Sequence, residues 1–171
     1  MSRALKEPLD ALKLAAAATV VEREFRLADF TRLVDRLATP EGVVRARMTW
    51  RSIDGVPTGE LEVRAEARLN CQRCLGPMRR VLESASQLAF VEREETPVPA
   101  DHEAIPGNPR EVDFARLVED ELLLSLPLIA IHGAGEKCAA QAPQAAGKAE
   151  AGPPAQEMRR PFAGLKELLK H

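Results

Sequence analysis

The chain has 171 residues, 45% of them hydrophobic and 29% charged, the proportions of a single soluble domain able to bury a core. Aromatic residues make up only 4%, with no Tyr, and 24 basic side chains meet 26 acidic ones for a net charge of −2. That balance argues against strong non-specific RNA binding, which calls for a basic excess, and it leaves any base-stacking platform sparse.

No run approaches the roughly 20 apolar residues of a membrane span. The Ala- and Leu-rich start, residues 1–18, reads as a loose helix or a poorly ordered segment. Glu7, Asp10 and Lys13 argue against a secretory leader there. Three cysteines, an odd number, then point to reduced thiols in the cytoplasm rather than a disulfide framework. Residues 19–27 read as a strand. Phe30, Leu33, Val34 and Leu37 recur at helical spacing, so a short amphipathic helix is expected over 29–38, with Asp29 as its N-cap and Pro40 beyond its end.

The clearest pattern follows. Val44, Ala46, Met48 and Trp50 alternate with Arg45, Arg47, Thr49 and Arg51, a strand with one polar face. Asp54-Gly55 is a two-residue hairpin turn, because a type I′ turn needs positive φ at both positions. Pairing through it sets Met48 opposite Leu61, Ala46 opposite Val63, Val44 opposite Ala65 and Arg47 opposite Glu62. A slip of one residue would bury the arginines, so the register is fixed. The partner strand runs to Leu69, and Cys71-Gln72-Arg73-Cys74-Leu75-Gly76-Pro77 makes a tight loop before a third long strand over 78–91.

Residues 94–110, with four prolines and several acids, read as a loop. Asp113 is expected to cap a helix that runs to about Leu126 and stops at Pro127, with Phe114, Leu117, Val118, Leu122 and Leu124 as its buried stripe. The Ala-, Gly- and Pro-rich segment 133–158 reads as a flexible linker. Residues 159–171 regain helical spacing through Phe162, Leu165, Leu168 and Leu169, a short helix that needs a surface to dock on. The expected fold is therefore α+β. An antiparallel sheet of the 19–27, 43–51, 58–70 and 78–91 strands is covered on its Trp50 face by the 29–38 and 113–126 helices, and the domain spans 19–132.

Cys71 and Cys74, two residues apart at a hairpin tip, have the geometry of a zinc knuckle. No second C-x-x-C is present. His132 and Cys138 complete a Cys₃His set if the chain folds back after Pro127, and the other reading leaves all three thiols reduced with no metal bound. A redox pair is a further reading, but thioredoxin-like sites begin a helix at the first Cys, and none begins here. Arg45, Arg47, Arg51, Arg64 and Arg68 share one face with Glu60, Glu62 and Glu66, as on a solvated sheet surface. Arg73, Arg79 and Arg80 near the knuckle have fewer acids around them and form the better RNA surface. Glu119-Asp120-Glu121 suits a basic partner or a solvated helix face. His102 and His171 have no visible partner, and no triad, phosphate loop or H-E-x-x-H pattern is found.

Three segments in order, "LNCQRCL" at 69–75, "VDFARLVEDELLLSLPLIAIH" at 112–132 with Cys138 following, and "RRPFAGLKELLK" at 159–170, resemble the YceD family. The resemblance covers most of the chain from about residue 20. It implies a cytoplasmic bacterial protein, not an enzyme, that supports synthesis, processing or stability of 23S ribosomal RNA. Precursor RNA or a large-subunit ribosomal protein is then the expected partner, with neither DNA nor membrane involved. It also implies that Cys71, Cys74 and Cys138 occupy cysteine positions of the family. Fuller members carry a second cysteine pair where this chain keeps only Cys138 near His132, so zinc is not required by the resemblance. An adaptor that contacts protein alone is the competing function.

Overall fold

The alternation of residues 43–70 folds as a long hairpin. A computed structural model of the chain describes residues 7–133, 136 and 138. Strand β3 (Val43–Ile53) turns through Asp54-Gly55, both at positive φ, into β4 (Val56–Asn70). The register is the expected one, with Val44 opposite Ala65, Ala46 opposite Val63, Met48 opposite Leu61 and Arg47 opposite Glu62. The apolar set is buried while Arg45, Arg47 and Arg64 stay in water, as a side-chain period of two requires.

Five shorter elements precede this hairpin. Helix α1 (Ala11–Ala16) starts where the Asp10 carboxylate accepts from the Lys13 N–H, and it buries Ala11 and Ala15. Strand β1 (Val20–Arg26) pairs antiparallel with β3. The helix expected over 29–38 is instead a 3₁₀ turn at Leu27–Asp29, a single-turn helix α2 (Thr31–Val34) and a strand β2 (Leu37–Thr39) that pairs with the far end of β4. Phe30, Leu33 and Leu37 are buried as the spacing suggested, but Leu37 reaches the core from a strand. Asp29 caps nothing. It closes back on Arg26, accepting from its backbone N–H and guanidinium.

Strand β5 (Pro77–Val91) pairs antiparallel along β4. The segment read as a loop over 94–110 contains a strand, β6 (Glu103–Pro106), which adds to β5 in parallel. The sheet is therefore mixed rather than wholly antiparallel, in the order β1-β3-β4-β5-β6 with β2 alongside β4. Helix α3 (Phe114–Leu124) begins at Asp113, whose carboxylate accepts from the Arg116 N–H at 3.0 Å. Its stripe buries Phe114, Val118 and Leu122, four residues apart on one face, but Leu124, two residues past Leu122, lies off that face and points outward at 76% exposure.

Helices α1, α2 and α3 cover one face of the sheet. Trp50 lies beneath them at 0% exposure, its ring 4.9 Å from that of Phe90. Phe25 bridges Phe30 and Phe114 at 5.4 and 6.1 Å between centroids, which ties strand β1 to α2 and α3. Burying side chains of this size supplies roughly 2–3 kcal/mol each. The expected linker 133–158, apart from residues 133, 136 and 138, and the expected helix 159–171 lie outside the described residues.

Candidate metal centre

The knuckle is built by its own backbone. Between β4 and β5 the Cys71 N–H donates to the Gly76 carbonyl at 2.9 Å and the Leu75 N–H to the Cys71 carbonyl at 2.7 Å. Leu75 takes a positive φ of 60° to close the loop, a conformation a β-carbon resists. Pro127 ends the helical segment, and the chain then runs back to the knuckle, where the Gln72 N–H donates to the Ala130 carbonyl at 2.7 Å. Arg80 holds the returning segment twice, donating to the Ile131 carbonyl and pairing with Glu136 at 3.6 Å. Glu136 in turn accepts from the Gly133 N–H at 2.7 Å.

These contacts bring Cys71, Cys74, His132 and Cys138 together, with one ligand atom from each and all four atoms within 4.8 Å of one another. Cys71 Sγ stands 3.9 Å from Cys138 Sγ, and Cys74 Sγ stands 3.5 Å from His132 Nδ1. A tetrahedral zinc with bonds of about 2.3 Å to sulfur and 2.0–2.1 Å to nitrogen sets sulfurs about 3.8 Å apart and sulfur to nitrogen about 3.5 Å. The Cys71–Cys138 and Cys74–His132 separations match that ion. A Cys₃His set that can hold a metal is therefore present, as the residue chemistry anticipated.

Ligation needs thiolates rather than thiols, and the surroundings favour that form at Cys71 and Cys138 but not at Cys74. Burial pushes the Cys71 thiol up, yet the N–H groups of Cys74, Arg73 and His132, with the His132 ring, hold it down at about 5. The Arg73 guanidinium, donating to Cys138 Sγ at 3.2 Å, pulls the Cys138 thiol down. The Gly76 N–H favours the Cys74 thiolate, but burial and the neighbouring Cys138 and Cys71 sulfurs carry that thiol up. Hydrogen bonding to Cys71 and Cys138 raises the His132 imidazole. A divalent ion with three thiolates and one imidazole carries a net charge of −1, and Arg73 is placed to offset it from outside the ligand shell.

The other residues singled out by the sequence fall elsewhere. Arg73, itself exposed, and half-buried Arg80 are engaged with this cluster, while Arg79 is exposed with no ion pair among the described residues; it sits opposite Arg68. Arg45, Arg47, Arg64 and Arg68 pair with Glu24, Glu22, Glu83 and Glu41 at 2.9, 3.5, 2.6 and 3.3 Å, so acids of neighbouring segments rather than the interleaved Glu60, Glu62 and Glu66 neutralise this sheet face.

Glu119-Asp120-Glu121 is no solvated run. Glu119 and Glu121 are buried, and Asp120 is engaged from a half-exposed position. Glu119 accepts from the Arg32 N–H at 2.8 Å and from its guanidinium at 2.9 Å, Asp120 pairs with that guanidinium at 2.7 Å, and Glu121 accepts from the Ser84 hydroxyl. Glu119 thus does for helix α2 what Phe30, its N-cap, cannot. Glu136 and the clamping role of Arg80 escaped the sequence reading, whose only available signal was their opposite charge.

A family model described as Large ribosomal RNA subunit accumulation protein YceD matches residues 59–169. The chain belongs to the YceD family. No curated protein and no solved structure matches it. The YceD match starts inside β4 and takes in the knuckle, β5, β6, α3 and all four candidate ligands, while β1, β2 and β3 precede it. The family's description links the chain to the RNA of the large ribosomal subunit.

Proposed function

We propose that this YceD protein is a cytoplasmic, non-catalytic factor that helps 23S ribosomal RNA accumulate, through contact with precursor RNA or a large-subunit protein. The observation that carries this reading is the family match over 59–169, because charge alone points away from RNA. Zinc is the ion proposed for Cys71, Cys74, His132 and Cys138. Bound there, it would supply a staple between the β4–β5 loop and the segment after α3, joining parts of the chain 58 residues apart in sequence. The residues themselves do the rest: Arg73 balances charge, and Arg80 with Glu136 orients the returning arm. A thiol oxidoreductase is less well supported, since Cys71 opens a tight turn and no helix among the described residues begins at it.

Deletion of the gene tests the function directly. The ratio of 23S to 16S RNA is expected to fall and to recover with the wild-type gene; an unchanged ratio removes the proposal. Elemental analysis of protein purified without a His-tag and without added metal tests the ion, with about one zinc per chain expected.

A further inference from the structure

Charge is distributed unevenly along the chain. Residues 92–121 hold ten acidic and three basic side chains, a net of −7, which leaves +5 on the rest of a chain whose total is −2. This acidic stretch frames a seam between strand β6 and helix α3. Two adjoining hollows of about 410 and 320 Å³ lie along the seam and share Ile105, Leu117 and Asp120. Ile105 and Leu117 are only partly covered, and Leu124 at one end is 76% exposed. Past the helix, Leu128 and Ile129 are 98% and 66% exposed as well. Isolated exposed leucines are ordinary, but an open apolar trough with an exposed leucine at its end marks an interaction surface.

Its rim is acidic. Glu103 borders one hollow and Glu111 the other, and neither carboxylate has an ion pair or hydrogen-bond partner among the described residues. Arg116 is the one cation lining either hollow. Water satisfies such carboxylates in the free protein, while a partner that brings ammonium or guanidinium groups gains both long-range attraction and rim pairing.

We propose that this trough docks a basic amphipathic protein segment: leucine-like side chains enter over Ile105, Leu117 and Leu124, and lysine or arginine heads reach Glu103 and Glu111. Helix α3 is 11 residues, about 16 Å long, so a segment of three helical turns fills the seam. Helix-in-groove recognition of this kind draws affinity from the apolar anchors and selectivity from the rim charges.

The test uses the purified full-length chain and a fluorescein-labelled 12-residue peptide carrying Leu and Lys at helical spacing. A second peptide replaces Leu by Ser, and a third replaces Lys by Glu. The Leu/Lys peptide is expected to bind in fluorescence anisotropy. The Ser version should be at least ~10-fold weaker, a difference of about 1.4 kcal/mol, and the Glu version should not bind.

The double variant Glu103→Lys/Leu124→Lys, altered at two exposed positions, should weaken the Leu/Lys peptide by at least ~10-fold. Val43→Lys/Val81→Lys, at two half-exposed valines of the open sheet face, should leave it unchanged. Equal binding of the Leu and Ser peptides would reduce the effect to bulk charge and overturn the proposal. So would full affinity in the Glu103/Leu124 variant, or a dimer seen by sedimentation that this variant dissolves. The peptide series on the wild-type chain decides the matter without any variant.

Discussion

Replacing Glu119 by alanine probes the link that joins the two ends of the folded region. The carboxylate lies buried on α3 and receives the N–H and guanidinium of Arg32, 87 residues earlier. Arg32 is nearly half exposed, and Asp120 holds its other side, so solvent screens the ion-pair part to at most about 1 kcal/mol. The hydrogen bond from the Arg32 N–H is different, because a buried charged acceptor is worth about 1.5–3 kcal/mol and α2 has no other cap. Glu119→Ala is therefore expected to cost about 2–3 kcal/mol.

At a urea slope of roughly 2 kcal/mol/M, the unfolding midpoint should fall by about 1–1.5 M with the slope unchanged. Glu119→Gln keeps an acceptor for the N–H and should lose no more than half as much. An alanine variant within about 0.5 kcal/mol of wild type would refute the reasoning, as would a glutamine variant as damaged as alanine.

Cys74→Ser and Cys138→Ser should each abolish stoichiometric zinc in elemental analysis, whereas His102→Ala, in an exposed loop, should retain it. Trp50 Nε1 is buried without a partner, so Trp50→Phe should cost no more than about 1.5 kcal/mol by urea titration while Trp50→Ala costs about 3–5. A β-carbon on Gly59, which faces Trp50 across the hairpin, would stand 2.5 Å from Met48 Sδ. Gly59→Ala should lose about 1–3 kcal/mol, and combining it with Met48→Ala should cost less than the sum of the two. Removing the α3 cap with Asp113→Ala should cost about 1 kcal/mol in the same assay.

Local pattern carried the parts of the fold that local pattern controls. The β3–β4 register was legible because its alternation and the Asp54-Gly55 turn agree, and a slip would bury arginine. Strands β2 and β6 were not legible, since each is three or four residues whose pairing depends on β4 or β5 far along the chain. Phe30, Leu33 and Leu37 fit a helix by spacing alone, and only the contact of Leu37 with Leu69 decides for a strand. The same limit explains Glu119 and Glu121: three consecutive acids look solvated until Arg32 and Ser84 are brought to them by tertiary packing. The thiol cluster was readable from residue chemistry, because few arrangements other than a shared ion gather three cysteines and a histidine. The arginine surface was not, since Arg73, though exposed, is held by Cys138 and Arg80 by Glu136, partners with no sequence signature.

The sheet's outermost strands bear on how the protein behaves when crowded. β1 carries Glu22, Arg23, Glu24 and Arg26 along its seven residues, and β6 is four residues long and ends on Pro106, which has no N–H to offer. Both make poor templates for a foreign strand. Concentrated solutions should therefore resist amyloid-like growth from either flank, even though the ribbon between them is long and rich in valine and alanine.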